Sequence, residues 1–228
     1  MQRFMGFRAP VGTLPTPRAV TEALHEYRGA YMPRFQWLRD MYEGDHAILH
    51  RAEKPAFKPD NRLVANYAKQ IVDTMTGYLL GIPVSLVGED ERELEELEAW
   101  GAENCADDLD AELSKTASVY GTAYEVLWRD EEARPHSSVA TPLECLAVYG
   151  DTVARPMLWA VRFWVDGDDV TKGTVYTATE ETPFEEVGGR AVFGDPSPHG
   201  FPGIPVIEYV GNEERTGLFE GVASLIEA

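Results

Sequence analysis

His46 and His50 stand four residues apart, a spacing that puts two imidazoles on one helical face and supplies half of a zinc site. The metalloprotease form of that pair needs a glutamate at position 47, where this chain has Ala47. No third ligand is evident, so both histidines are read as surface or capping residues. His25, His136 and His199 are scattered. Asp107, Asp108 and Asp110 present three carboxylates in four residues. They also open a predicted helix, where negative charge complements the helix dipole, and that is the reading adopted. Cys105 and Cys145 are the only thiols. Two cysteines build no disulfide framework and no cysteine-rich metal site, so both are read as reduced. With 39 acidic residues in the chain, finding two carboxylates for acid–base work carries no information. The chain has no G-x-x-x-x-G-K-[ST] phosphate loop, no G-x-G-x-x-G and no G-x-S-x-G elbow. No catalytic, metal or cofactor residue is predicted, and no enzyme is expected.

Elements must position whatever the chain does instead, and charge is the first constraint on them. The net charge is −19 over 228 residues. Residues 1–66 hold ten basic and seven acidic side chains; residues 67–130 hold four and fifteen; residues 131–228 hold six and seventeen. An acidic body repels phosphate backbones, which argues against a DNA-gripping surface. It fits either an ordinary solvated surface or one past which DNA slides without sticking. No apolar run approaches the roughly 20 residues of a membrane-spanning helix, and no secretory signal opens the chain.

Residues 1–15 lack periodicity and read as a flexible arm. Thr16-Pro17 resembles a helix cap, followed by Val20, Leu24, Tyr27 and Tyr31 at helical spacing. Pro33 should break that helix. A short one through Phe35, Leu38, Met41 and Tyr42 then stops at Gly44. Residues 51–61 read as a basic, proline-containing loop. A longer helix follows through Leu63, Val64, Tyr67, Ile71, Val72, Met75, Tyr78 and Leu79. Gly81 and Pro83 end it, and Val84-Ser85-Leu86-Val87 reads as a strand. An acidic amphipathic helix over residues 89–100 and another over 108–121 come next. From Ala123 the period changes to two. Strands are predicted over residues 143–149, 158–165, 173–179, 190–193 and 204–210, with turns at Gly167-Asp168 and Gly188-Gly189. Leu218, Phe219, Val222, Leu225 and Ile226 trace a final amphipathic helix. Helices first and an antiparallel sheet afterwards define an α+β fold. The divisions expected are a mainly helical region over 16–121, a β region over 122–215, and over 216–228 the start of a helix leading into a further C-terminal part.

Three stretches in fixed order carry a resemblance. They are Tyr42-Glu43-Gly44-Asp45-His46; Asn61 through Asn66-Tyr67, Ile71-Val72-Asp73, Gly77-Tyr78 and Gly81 to Pro83-Val84; and Val119-Tyr120-Gly121-Thr122-Ala123-Tyr124-Glu125. Gly203-Ile204-Pro205-Val206 and Phe219-Glu220-Gly221-Val222 come later. In this order they resemble the siphophage-type portal proteins of tailed double-stranded-DNA phages, over roughly residues 27–228. The resemblance makes Tyr42, Gly44, Asn66, Asp73, Gly77, Gly81, Pro83, Tyr120, Gly121, Tyr124 and Pro205 scaffold positions. Gly77 is expected to permit close helix packing, Gly81 a left-handed exit, Pro83 an extended strand, and Gly121 a helix-to-strand turn. Asn66 and Asp73 are expected to bond neighbouring backbone.

The resemblance implies a homo-oligomer, a dodecameric ring at one capsid vertex. Its implied partners are the packaging terminase, capsid or scaffold proteins and head-completion proteins. DNA would pass through the channel without sequence-specific binding. The implied location is the virion, and the host cytoplasm during assembly. Family portals continue into a clip, a channel helix and often a crown, so these residues resemble the outer wing. The competing reading is a non-catalytic capsid or head–tail adaptor module.

Overall fold

The computed structural model describes residues 6–52 and 64–226. The basic loop, Asn61 and the Leu63 start of the predicted helix lie largely or wholly outside the described residues.

The first element among the described residues is a strand, β1 (Phe7–Ala9), within the stretch expected to be a loose arm. Phe7 is buried against Tyr27 and Tyr31, with ring centroids 5.7 and 5.3 Å away, and this anchors the segment. Helix α1 (Pro17–Ala30) starts as predicted. Thr16 Oγ1 accepts the Ala19 N–H at 3.2 Å, and Pro17 occupies the first turn, where no N–H is needed. Val20, Leu24 and Tyr27 face inward at helical spacing. Helix α2 (Met32–Glu43) ends on Gly44 in the left-handed region, φ +84°. Helix α3 (Tyr67–Leu80) buries only Ala68 and Val72. Helix α4 (Glu91–Asn104) buries no residue at all. Helix α5 (Ala106–Tyr120) begins with Asp107 and Asp108 in its first turn and buries Leu113, Thr116, Val119 and Tyr120.

The strands follow: β2 (Thr122–Arg129), β3 (Pro135–Ala140), β4 (Cys145–Gly150), β5 (Met157–Val165), β6 (Thr171–Tyr176), β7 (Glu180–Val187), β8 (Arg190–Phe193), β9 (Ser197–Pro198) and β10 (Val206–Val210). A seven-stranded sheet runs in the order β1-β4-β5-β6-β7-β8, with β9 beside β7. Among the described residues, only β1 on β4 is parallel. A three-stranded antiparallel sheet runs β10-β2-β3. The hairpin between β7 and β8 turns on Gly188 and Gly189, φ +59° and +75°, the pair of left-handed residues that a two-residue turn requires.

Alternation along the strands gives the large sheet two covered faces. Leu146, Val148, Trp159, Val161, Phe163 and Val175 point into a core shared with α1 and α2. Cys145, Ala147, Ala160 and Tyr176 point the other way, into a second core with Tyr124, Val126, Ala140 and Val206 of the small sheet. The fold is α+β, helices and mostly antiparallel sheets.

Several element predictions need correction. The Val84–Val87 segment forms no strand, because among the described residues no neighbour offers it backbone hydrogen bonds. Strands β3 and β7 escaped prediction. The final helix shrinks to α6 (Ala223–Ile226), after a 3-10 turn over Glu220–Val222. Phe219 is buried there, whereas Leu218 and Val222 stay exposed.

Candidate functional site

The sequence-predicted scaffold residues gather into three places. The first joins α2 to α3. Asn66 accepts the Lys69 N–H through Oδ1 at 2.9 Å, and its Nδ2 donates to the Tyr42 carbonyl at 2.8 Å. One side chain therefore closes the start of α3 and the end of α2. A Cβ on Gly44 would stand 3.0 Å from Asn66 Nδ2, so glycine meets both the left-handed turn and the crowding. Asp73 bonds side chains, not backbone as expected: Tyr42 Oη donates to Oδ1 at 2.8 Å, and Lys69 Nζ lies 2.9 Å from Oδ2. Burial alone would raise the Asp73 pKa. The Lys69 and Tyr42 hydrogen bonds outweigh it and hold the carboxyl below the usual carboxylate range. Lys69 had no signal in the sequence.

The second place is the junction of α5 with β2. Tyr120 packs edge-on to Phe35, with centroids 6.0 Å apart, and burial pushes its phenol up to about 12. Gly121, φ +83°, turns the chain from helix to strand. A Cβ there would meet the Arg215 carbonyl carbon at 2.2 Å and its oxygen at 2.3 Å. Tyr124 is fully buried between the sheets. The Pro205 carbonyl accepts the Leu127 N–H at 2.8 Å, which adds a rung to the β10–β2 ladder.

Around this junction runs a polar network that the sequence reading missed. Glu208 accepts from Thr122 Oγ1 at 2.8 Å, from Arg215 Nε and Nη2 at 2.8 Å each, and from the Tyr149 hydroxyl. Burial would raise the Glu208 pKa; these donors, led by Arg215, hold it below the usual range. Tyr149 and Arg215 are both raised, Tyr149 chiefly by burial and Arg215 chiefly by its bond to Glu208. The Arg215 carbonyl accepts from Arg34 Nη2 at 2.8 Å, and Arg34 also grips the Glu220 carboxylate.

The third place is the exposed end of α3. Beyond the backbone of its own helix, no atom of the described residues lies within 4 Å of a Cβ added to Gly77, so close packing does not explain that glycine. Gly81 leaves the helix right-handed, φ −68°, not left-handed. What demands glycine there is the Gly77 carbonyl oxygen, 2.3 Å from the Cβ position. Pro83 leads into an irregular segment. Tyr78 is 89% exposed, Ile82 83% and Val87 93%, and Met75, Leu79, Val84 and Leu86 are exposed beside them. Contiguous apolar surface of this kind marks an interaction site. An open groove of about 610 Å³ runs from Met75, Tyr78 and Leu79 across Leu113 to Val210 and Leu218.

Chemistry of other kinds is sparse. Among the described residues, no three His, Cys, Asp or Glu side chains converge to hold a metal ion. His46 is buried, while His50 Nε2 lies 2.6 Å from Asp45 Oδ1. No described helix is long and apolar enough to cross a membrane.

Comparison with known proteins fits this scaffold-like arrangement. The sequence pattern of the family described as phage portal protein, SPP1 Gp6-like, matches residues 25–228. The portal protein of Bacillus phage SPP1 is 28% identical over 188 residues, which cover 75% of this chain and 37% of that protein. The chain thus spans little more than a third of that relative's length. Since the family pattern runs over nearly the whole α+β body, from α1 to α6, the chain belongs to the SPP1 Gp6-like family of phage portal proteins.

Proposed function

We propose that this chain supplies the wing of a ring-forming portal subunit at one capsid vertex, the channel used for DNA packaging and ejection. The observation that carries the proposal beyond family membership is the exposed apolar end of α3, a surface suited to contact between subunits. The role is structural. Packaging terminase, capsid or scaffold proteins and head-completion proteins are the partners. The net charge of −19 suits a wing that does not grip DNA, because like charge keeps the phosphates off. Assembly takes place in the host cytoplasm, and the ring ends in the virion.

Native mass tests this. Light scattering and negative-stain microscopy of the full-length gene product should find a closed ring. A monomer at every concentration would overturn the ring and leave an adaptor module.

A further inference from the structure

Among the described residues, two backbone segments lack hydrogen-bonding partners. The first is the outer side of β10, an end strand of the small sheet. The Leu127 N–H bonds the Pro205 carbonyl, and the Gly211 N–H bonds that of Gly121. Ile207 sits opposite Glu125 and Tyr209 opposite Ala123 in the same ladder. By the alternation of an antiparallel pair, Ile207 and Tyr209 turn their N–H and C=O groups toward β2. Val206, Glu208 and Val210 turn theirs away from β2; Val206 is buried, so the open part of the edge is at Glu208 and Val210. Among the described residues no strand pairs there. Such an edge is a template for another strand.

The second segment is residues 83–87. Its β-branched, apolar composition is that of a strand, yet among the described residues it makes no backbone hydrogen bond. Val84, Leu86 and Val87 are exposed. Pro83 suits the first position of an added strand, where no N–H is called for. Among the described residues the segment makes no backbone hydrogen bond to its own β10. Helices α3 and α4, which bound it, both pack on α5 and fix its two ends. Val84, Leu86 and Tyr209 all line one open groove of about 840 Å³.

We propose that residues 83–87 of one copy add as a strand to the open edge of β10 in the next copy. Main-chain hydrogen bonds would supply the attachment, and the apolar side chains would enter the groove beside Tyr209. This rests on the ring reading and names its contact. Donor and acceptor are different surfaces, so the contact is head-to-tail, the kind that closes into rings.

The test uses two versions of the full-length protein, both carrying Cys105→Ser. One also carries Ser85→Cys, the other Ile207→Cys and a mass tag. The mixture is treated with a short bis-maleimide, and its native mass is recorded. A linked pair of one tagged and one untagged chain is the expected result. In a separate control chain that carries Ser85→Cys and Ile207→Cys together with Cys105→Ser, a link found only within the chain would show residues 83–87 folding onto their own β10, and would overturn the proposal. A ring without the 85–207 link would overturn strand exchange and leave the portal reading standing. A monomer without the link would remove both.

Discussion

Arg34 and Glu220 lie 186 residues apart and meet in a two-pronged ion pair, Nε to Oε1 at 2.8 Å and Nη2 to Oε2 at 2.5 Å. Only 7% of the Arg34 side chain and 14% of that of Glu220 remain exposed. The pair ties α2 to the turn that precedes α6.

Truncating one member leaves the other buried and unpaired. Glu220→Ala should cost about 3–5 kcal/mol. Arg34→Lys keeps the charge but loses the fork and should also destabilise. Urea unfolding of both variants measures this, and a loss under about 1 kcal/mol in Glu220→Ala would refute the importance of the tie.

Gly77 and Gly121 should respond in opposite directions. Gly77 is helical with open space around it, so Gly77→Ala should stabilise by about 0.5–1 kcal/mol. Gly121→Ala forces a Cβ into the Arg215 carbonyl at positive φ and should cost about 2 kcal/mol or more. Thermal melts of the two variants against the wild type should shift on opposite sides.

Glu208 should make stability depend on acid. Its folded pKa is lowered, so its contribution is complete above the ordinary glutamate value of about 4.3. It is lost as pH falls through the lower folded value. Glu208→Gln should cost about 3 kcal/mol or more at neutral pH, because Arg215 is left half-satisfied. In urea unfolding from pH 7 to pH 3, the gap between wild type and variant should narrow. A constant gap would mean the carboxylate charge is not what stabilises.

Tyr78→Ser with Leu79→Ser should leave the subunit fold within about 0.5 kcal/mol, since both side chains already face water. The same pair should reduce ring assembly measured by native mass. Unchanged assembly would move the subunit contact elsewhere.

Much of the fold was legible where local chemistry and burial agree. Thr16-Pro17 capped α1 in the sequence as it does in space, and Val20, Leu24 and Tyr27 marked its inner face. In β5, Trp159, Val161 and Phe163 alternated plainly with Ala160 and Arg162. Strand β7 escaped because Glu180, Glu181, Glu185 and Glu186 surround its one fully buried residue, Phe184. Backbone pairing to β6, β8 and β9 holds it, and no side-chain pattern reports that. Strand β3, rich in His and Ser, escaped for the same reason. Residues 84–87 err the other way, with strand composition and no pairing strand among the described residues. Tyr42, Asn66 and Asp73 were legible as important, but their meeting depends on how α2 and α3 pack. Glu208 was one acid among 39, and only Arg215, Tyr149 and Thr122 around it single it out.

Strand β4 gives the body its stiffness. Leu146 and Val148 belong to one core, Cys145 and Ala147 to the other, so successive residues clamp opposite layers. Such a strand leaves no plane along which helices and small sheet can slip past each other. A push on either layer moves both, as a lever without a joint. The β4 amides should be among the last to exchange with solvent, released only when the whole body opens.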